Sequence, residues 1–402
     1  MTEPIERGRY GSQPMRELFA DQARFRFFVD PERPEPASGF QARLAHAAAA
    51  VLDGLLDTGQ AWTGDRFTEL ALQLAAAQYE SVPIYRAWCD HALGSVRLDD
   101  LDDWRDVPAL PICAYKQARV AGHAVDAATW TSSGTTGAAT STHILGSLAQ
   151  YDASLLYGCR RALVPDGVRP LCLQLAPNAA EAPQSSLSHM LDSARLELCV
   201  DGGTFVDASF KVDPRGAWSA LDAAAGGDQP VLVLATSFAL VQLLEATADE
   251  QPVRLPPGSR LMDTGGYKGR TRELTRGELL ELVGERLGIE PAWCENEYGM
   301  SELSSQAWLG TIARSVGQPL SDTAGRWQPP WFRTRVVDPL SLTEVANGDE
   351  GLLVHHDLAN VWSCAAVRSE DWGRRLGDSY ELLGRAPGAE LRGCSLQLED
   401  VL

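Results

Sequence analysis

Residues 130–137 read Trp130-Thr131-Ser132-Ser133-Gly134-Thr135-Thr136-Gly137, with five hydroxyl side chains and two glycines. Hydroxyls and backbone N–H groups in such a loop can converge on one anion. Glycine lets the backbone approach a phosphate closely. The stretch is not a Walker-type loop, because it lacks a Gly-Lys-Ser/Thr ending. A flexible Ser/Gly linker is the competing reading. A helical-looking segment, Leu145 to Leu163, follows at once. A helix start there would itself favour an anion.

Outward from the loop, the chain alternates between apolar runs and amphipathic segments. Leu171 to Leu175 and Pro230 to Ala235 read as strands, and Phe238 to Glu245 and Gly277 to Leu287 as helices. Such alternation predicts an α/β core with a largely buried sheet. Upstream, residues 1–40 form an irregular lead-in and Gln41 to Ala92 has helical periodicity. Asp106 to Pro111 is predicted to be extended, because each proline biases its predecessor away from helix. Residues 41–332 are assigned to the α/β core. From Arg333 the pattern changes to β runs around Asn347-Gly348, and 333–402 is expected to form a β subdomain and tail.

Composition excludes several roles. The 402 residues carry a net charge of −19, which opposes binding to nucleic acid or to an anionic membrane. No apolar run reaches the roughly 18 residues of a membrane helix. The eight cysteines contain no Cys-x-x-Cys pair and read as reduced thiols of a cytoplasmic protein. The adjacent His355 and His356 would point to opposite faces of a strand, so a shared metal is not expected there.

Four more segments could carry chemistry. Asp263-Thr264-Gly265-Gly266-Tyr267-Lys268-Gly269-Arg270 combines a glycine-rich turn with two cations. Glu295-Asn296-Glu297-Tyr298-Gly299-Met300-Ser301-Glu302 combines an aromatic ring, a hydroxyl and three carboxylates, which a magnesium ion could compensate. Asp357 closes an apolar run, where an Asp is usually a turn or cap residue. Cys394 lies between Gly393 and Ser395, with Arg392 as a cation able to raise its thiolate fraction, although a packed structural thiol is the default.

Taken in order, these segments resemble the adenylate-forming superfamily of acyl- and aryl-CoA ligases. Tyr298-Gly299-Met300-Ser301-Glu302 resembles its Tyr-Gly-x-Thr-Glu motif, Asp357 its ribose-binding Asp, and Gly384-Arg385 the pair ahead of its hinge. Within the superfamily the closest likeness is to the acyl-protein synthetases. It rests on Pro177, Ser185-Ser186-Leu187, Thr236-Ser237-Phe238, the glycine-rich turn and Arg392-Gly393-Cys394-Ser395-Leu396. Gly137 is followed by Ala138-Ala139 where most ligases have Pro-Lys, and the chain ends at Leu402, ahead of the ligases' mobile C-terminal domain. Acyl-protein synthetases are similarly short.

The resemblance implies the large N-terminal α/β domain of these enzymes, sheets between helices, with a small β subdomain. It implies ATP and Mg2+ as cofactors. Thr131, Ser132, Ser133, Gly134, Thr135, Thr136 and Gly137 would hold phosphates, and Gly265, Gly266, Tyr298 and Gly299 the adenine. Asp357 would bind the ribose, with Arg385 beside the nucleotide. Ser301 would meet the α-phosphate and Glu302 the metal. Cys394 would take an acyl group, fatty in origin by the resemblance, and hand it to a reductase or carrier protein. The alternatives are transfer to CoA or an amine, or an inactive adenylate-binding scaffold.

Overall fold

The computed structural model describes residues 40–56, 62–122, 126–132, 140–265 and 274–386. Its strands are β1 (Leu110–Pro111), β2 (Ala128–Thr131), β3 (Thr142–Leu145), β4 (Leu171–Leu175), β5 (Val200–Thr204), β6 (Val231–Thr236), β7 (Arg260–Thr264), β8 (Cys294–Tyr298), β9 (Ala307–Trp308), β10 (Phe332–Val337), β11 (Glu350–Asp357), β12 (Ala366–Leu376) and β13 (Ser379–Arg385). A six-stranded sheet runs in the order β5-β4-β6-β7-β8-β9. It is parallel from β5 to β8, and β9 closes the edge antiparallel.

The central strands are buried on both faces, so they read as near-continuous apolar runs. Side chains alternate between those faces. Leu173, Leu175, Val231, Val233 and Ala235 pack in one cluster with Trp218, Leu240 and Val283, from the helices Pro214–Ala225, Ser237–Ala246 and Arg276–Leu287. Cys172, Leu232, Leu234 and Met262 face the other way, towards Leu155, Leu156 and Leu191 of the helices Ala149–Leu163 and Ser186–Leu198. The helices that follow the strands begin abruptly. Thr236, the last residue of β6, caps the next helix by accepting from Ala239 N. Thr275 and Glu278 form a capping box for Arg276–Leu287, and Gly288 at φ 70° ends it.

The expected helical region resolves into Phe40–Leu56, Gly64–Ser81 and Pro83–Leu93, the last opened by Pro83. β10 to β13, joined by β1 from far upstream, form a second, five-stranded sheet, β1-β12-β11-β10 with β13 on β12. Its Phe332, Val336, Leu353 and Tyr380 belong to the same apolar cluster as Leu44, Leu55 and Leu74 of the N-terminal helices. Among the described residues no helix is long and apolar enough to cross a membrane.

One expectation is corrected. The Ser/Thr/Gly loop does not run straight into a helix. Thr142–Leu145 pairs antiparallel with β2, Thr131 opposite Thr142, and the helix begins only at Ala149. The apolar Ile144-Leu145 belongs to a half-buried strand, which a short run cannot announce against a helix.

Candidate active site

The carboxyl ends of β6, β7 and β8 lie level, with Thr236 opposite Thr264 and Thr264 opposite Glu297. Open α/β sheets bind ligands along this edge. Gly265 follows β7 at φ 73°, a left-handed conformation that favours glycine, and its surface is open. The Ser237 hydroxyl donates to its carbonyl at 3.1 Å and to Asp263 Oδ2 at 3.1 Å. Asp263 is buried and also held by Arg276 at 2.7 Å and Asn296 Nδ2 at 3.0 Å. Gly266 and the turn beyond it lie outside the described residues.

At the end of β8 the chain turns over its own carboxylate. A side chain at Gly299 would collide with Glu297, which accepts from the Thr264 hydroxyl. Burial pushes Glu297 up to about 7. The Tyr298 ring is buried against His355 and Tyr380. Its hydroxyl donates to Asp371 Oδ2 at 2.8 Å and lies 3.0 Å from His355 Nε2. His355, lowered by burial to about 3, stays neutral. Ser301 is half-buried and Glu302 buried.

Glu302 joins this edge to the hairpin. Its Oε1 accepts from the Ser141 hydroxyl. Ser141 N donates to Ser132 Oγ at 3.0 Å and Ser132 N to Ser141 O at 3.0 Å, closing the root of the loop. Thr131 N donates to Gln184 O at 2.9 Å. Thr131, Ser132, Ser301, Glu302, Tyr298 and Gly299 are thus drawn towards one edge. Ser133, Gly134, Thr135, Thr136, Gly137 and Cys394 lie outside the described residues.

Asp357 is corrected. It is fully buried, and its carboxylate accepts from Ser304 N at 2.7 Å, Ser305 N at 2.8 Å, the Ser305 hydroxyl at 2.6 Å and Ala359 N at 3.1 Å. No lone pair is left for a ribose. It holds the turn after β8 against β11, the bland role of an Asp at a strand end.

The carboxylate that does face this edge is Asp371. It takes the Tyr298 hydroxyl and stands 3.3 Å from Arg385 Nε, whose side chain is 68% exposed. Sequence reasoning passed over Asp371, one of several charged residues in Arg368-Ser369-Glu370-Asp371. It also passed over Asn360, a buried hub. Asn360 Nδ2 donates to Glu302 O and Cys364 O, both at 2.8 Å, and its Oδ1 lies 2.8 Å from His143 Nε2 on β3. A single Asn in a turn carries no periodic signal.

For magnesium, no group of three His, Cys, Asp or Glu converges among the described residues. One carboxylate, Glu302, with Oε2 unpartnered among those residues, suits an ion held mostly by nucleotide phosphates.

No family model matches the chain. In sequence it is 25% identical over 143 residues to the long-chain-fatty-acid–luciferin-component ligase of Vibrio harveyi, a match taking in 33% of this chain and 35% of that protein. In structure it resembles 2-hydroxyisobutyryl-CoA ligase. The open form of that enzyme, in complex with 2-HIB-AMP and CoA, aligns with TM-score 0.54 and 15% identity over 90% of this chain and 82% of that one. Its postadenylation form gives TM-score 0.54 and 15% identity over 96% and 74%. These likenesses give the fold. In fold the chain is thus similar to an acyl-CoA ligase, and over a third of its length in sequence to a long-chain-fatty-acid–luciferin-component ligase.

Proposed function

We propose that this chain joins a carboxylic acid to AMP and passes the acyl group to a thiol. The observation that carries the proposal is the meeting, through Ser141 and Glu302, of the hydroxyl-rich loop's root with the carboxyl edge of the parallel sheet. An oxygen of the acid attacks the α-phosphorus of ATP, and pyrophosphate leaves. Alignment and charge stabilisation supply most of the rate. Ser132 and the loop beyond it cradle phosphates, and Gly265 and Gly266 border the adenine beside Tyr298. Ser301 meets the α-phosphate. Asp371, in place of Asp357, accepts the ribose hydroxyls, with Arg385 at the rim. Glu302 would help hold Mg2+, which neutralises phosphate charge when bound.

The thiol is Cys394. All seven described cysteines are buried. Burial pushes Cys89 and Cys294 up to about 12 and raises Cys159, Cys172 and Cys364 as well, so these are poor nucleophiles. The name of the Vibrio harveyi relative favours a long-chain fatty acid, and the resemblance a partner protein as final acceptor.

Acid-dependent ATP–pyrophosphate exchange tests the first step, and its absence with every acid would overturn the proposal. Cys394→Ser should keep exchange and lose hydroxylamine-labile acyl label on the protein. Label retained by that variant would exclude Cys394, and product formed only with CoA would favour a free-thiol acceptor.

A further inference from the structure

Between the start of the helix Gly64–Ser81 and the edge strand β10 lies a cavity of about 530 Å³. Five arginines line it, Arg105, Arg326, Arg333, Arg335 and Arg375, against two carboxylates, Glu344 and Asp378. That surplus of cations stands in a chain whose net charge is −19. Four of the guanidiniums are engaged. Arg105 meets Asp103 at 3.1 Å, and Arg326 donates to Asn296 O at 3.1 Å. Arg375 meets Glu344 at 2.6 Å, while Arg335 stands 3.7 Å from the same carboxylate and donates to Arg105 O at 2.7 Å. Arg333 is the exception. It is partly buried, with its guanidinium 3.9 Å from the centre of the Phe67 ring and 5.4 Å from that of Trp104. Its N–H donors have no hydrogen-bond or ion-pair partner among the described residues. Burial, and then the neighbouring Arg105, lower its pKa from the usual guanidinium value, as befits a cation short of counter-charge. The rings attract the cation but leave its N–H edge unsatisfied, and an unsatisfied donor taken from water is costly.

We propose that this cavity binds a small organic phosphate, with Arg333 as the anchor of the phosphate group. The guanidinium fork matches phosphate oxygens in pairs. More than one surplus positive charge calls for a dianion, and a phosphate monoester carries close to two negative charges at neutral pH where a carboxylate carries one. Trp62, Trp327 and Phe332 also line the cavity and offer an apolar wall to the body of the ligand. The volume is that of a small-molecule site. Gly64 opens the helix on the same wall, and a side chain there would meet nothing within 4 Å, so the helix start is accessible and adds its own attraction for an anion. Asp65, Glu69 and Asp102 line the adjoining hollow that Arg333 also touches, and they repel an anion from it. The site is independent of the adenylation reading and lies off the nucleotide edge. Thr334 Oγ1, on the cavity wall, lies 2.9 Å from His355 Nδ1, and His355 Nε2 lies 3.0 Å from the Tyr298 hydroxyl, so two buried rings stand between the cavity and Asp371.

The test is calorimetric titration of the full chain with phenyl phosphate, inorganic phosphate and benzoate, with and without saturating ATP. Wild type should bind phenyl phosphate saturably, with an affinity that falls about fivefold from roughly 50 to 500 mM NaCl. Inorganic phosphate, which lacks the ring, and benzoate, which carries one charge, should each bind roughly fivefold more weakly. ATP should leave the phenyl phosphate affinity unchanged. Arg333→Gln should weaken that affinity about tenfold, the worth of a charge-assisted contact, with Tm nearly that of wild type because Arg333 has no bond to a described residue to lose. Arg333→Lys keeps the stem and the charge without the fork, and should weaken binding about threefold, which carries the test if the Gln variant does not fold. No saturable binding by wild type, equal binding by both variants, insensitivity to salt, or loss of binding on adding ATP would each overturn the site. Benzoate bound as tightly as phenyl phosphate would overturn the phosphate assignment.

Discussion

Two aspartates illustrate how a carboxylate's role follows from its unspent lone pairs. Asp357 gives both oxygens to four donors of its own chain, so its loss leaves buried N–H groups unpaired. Asp357→Ala should lower stability by about 3 kcal/mol or more, read as a fall in Tm. Asp371→Asn should leave Tm nearly unchanged and weaken ATP binding about tenfold, the worth of a charge-assisted contact. Unchanged ATP affinity in Asp371→Asn would refute the ribose assignment. Glu297 makes a pH prediction. Its pKa is raised by burial from 4.5 to about 7, so its carboxyl supports the fold below about pH 4.5 and loses that contribution as pH rises through 7. Gln mimics the protonated form. Glu297→Gln should therefore match wild type near pH 5 and exceed it at pH 8, by at most about 3 kcal/mol. A Tm difference independent of pH between 5 and 8 would contradict the raised value.

At the scale of elements, period was legible and pairing was not. The runs at 171–175 and 230–235 became β4 and β6, and the amphipathic 277–287 became a helix, because burial on two faces or one stripe writes itself into composition. The pairing of β2 with β3 escaped because residues 132–141, far more than a two-residue turn, separate the strands in the sequence. Only its register, Thr131 against Thr142, exposes it. The hairpin matters to the site, since Ser132 and Ser141 close the loop's root and Ser141 reaches Glu302. Ser141→Ala removes one hydrogen bond to a buried carboxylate whose pKa burial already raises. It should slow pyrophosphate exchange several-fold while shifting Tm by only a few degrees. A large Tm loss with normal exchange per folded molecule would make Ser141 a purely structural residue.

On the scale of the molecule, the proposed nucleotide site draws on segments far apart in the chain: the 131–141 hairpin, the ends of β7 and β8, and β12 with β13. Motif order in the sequence carried that convergence, while the exchange of Asp357 for Asp371 required the distances. A ligand seated across these elements adds to stability in proportion to its occupancy, about 2.7 kcal/mol at a hundredfold excess over Kd. ATP should raise Tm, and a non-hydrolysable acyl-AMP analogue should raise it too. The two should differ in their need for metal. No cluster of three carboxylates or histidines converges among the described residues, so an ion at Glu302 would lean on the β- and γ-phosphates, which the analogue lacks. EDTA should therefore erase most of the ATP shift and spare that of the analogue. An equal loss for both ligands would mean that the metal is held by the protein itself, against the geometry around Glu302.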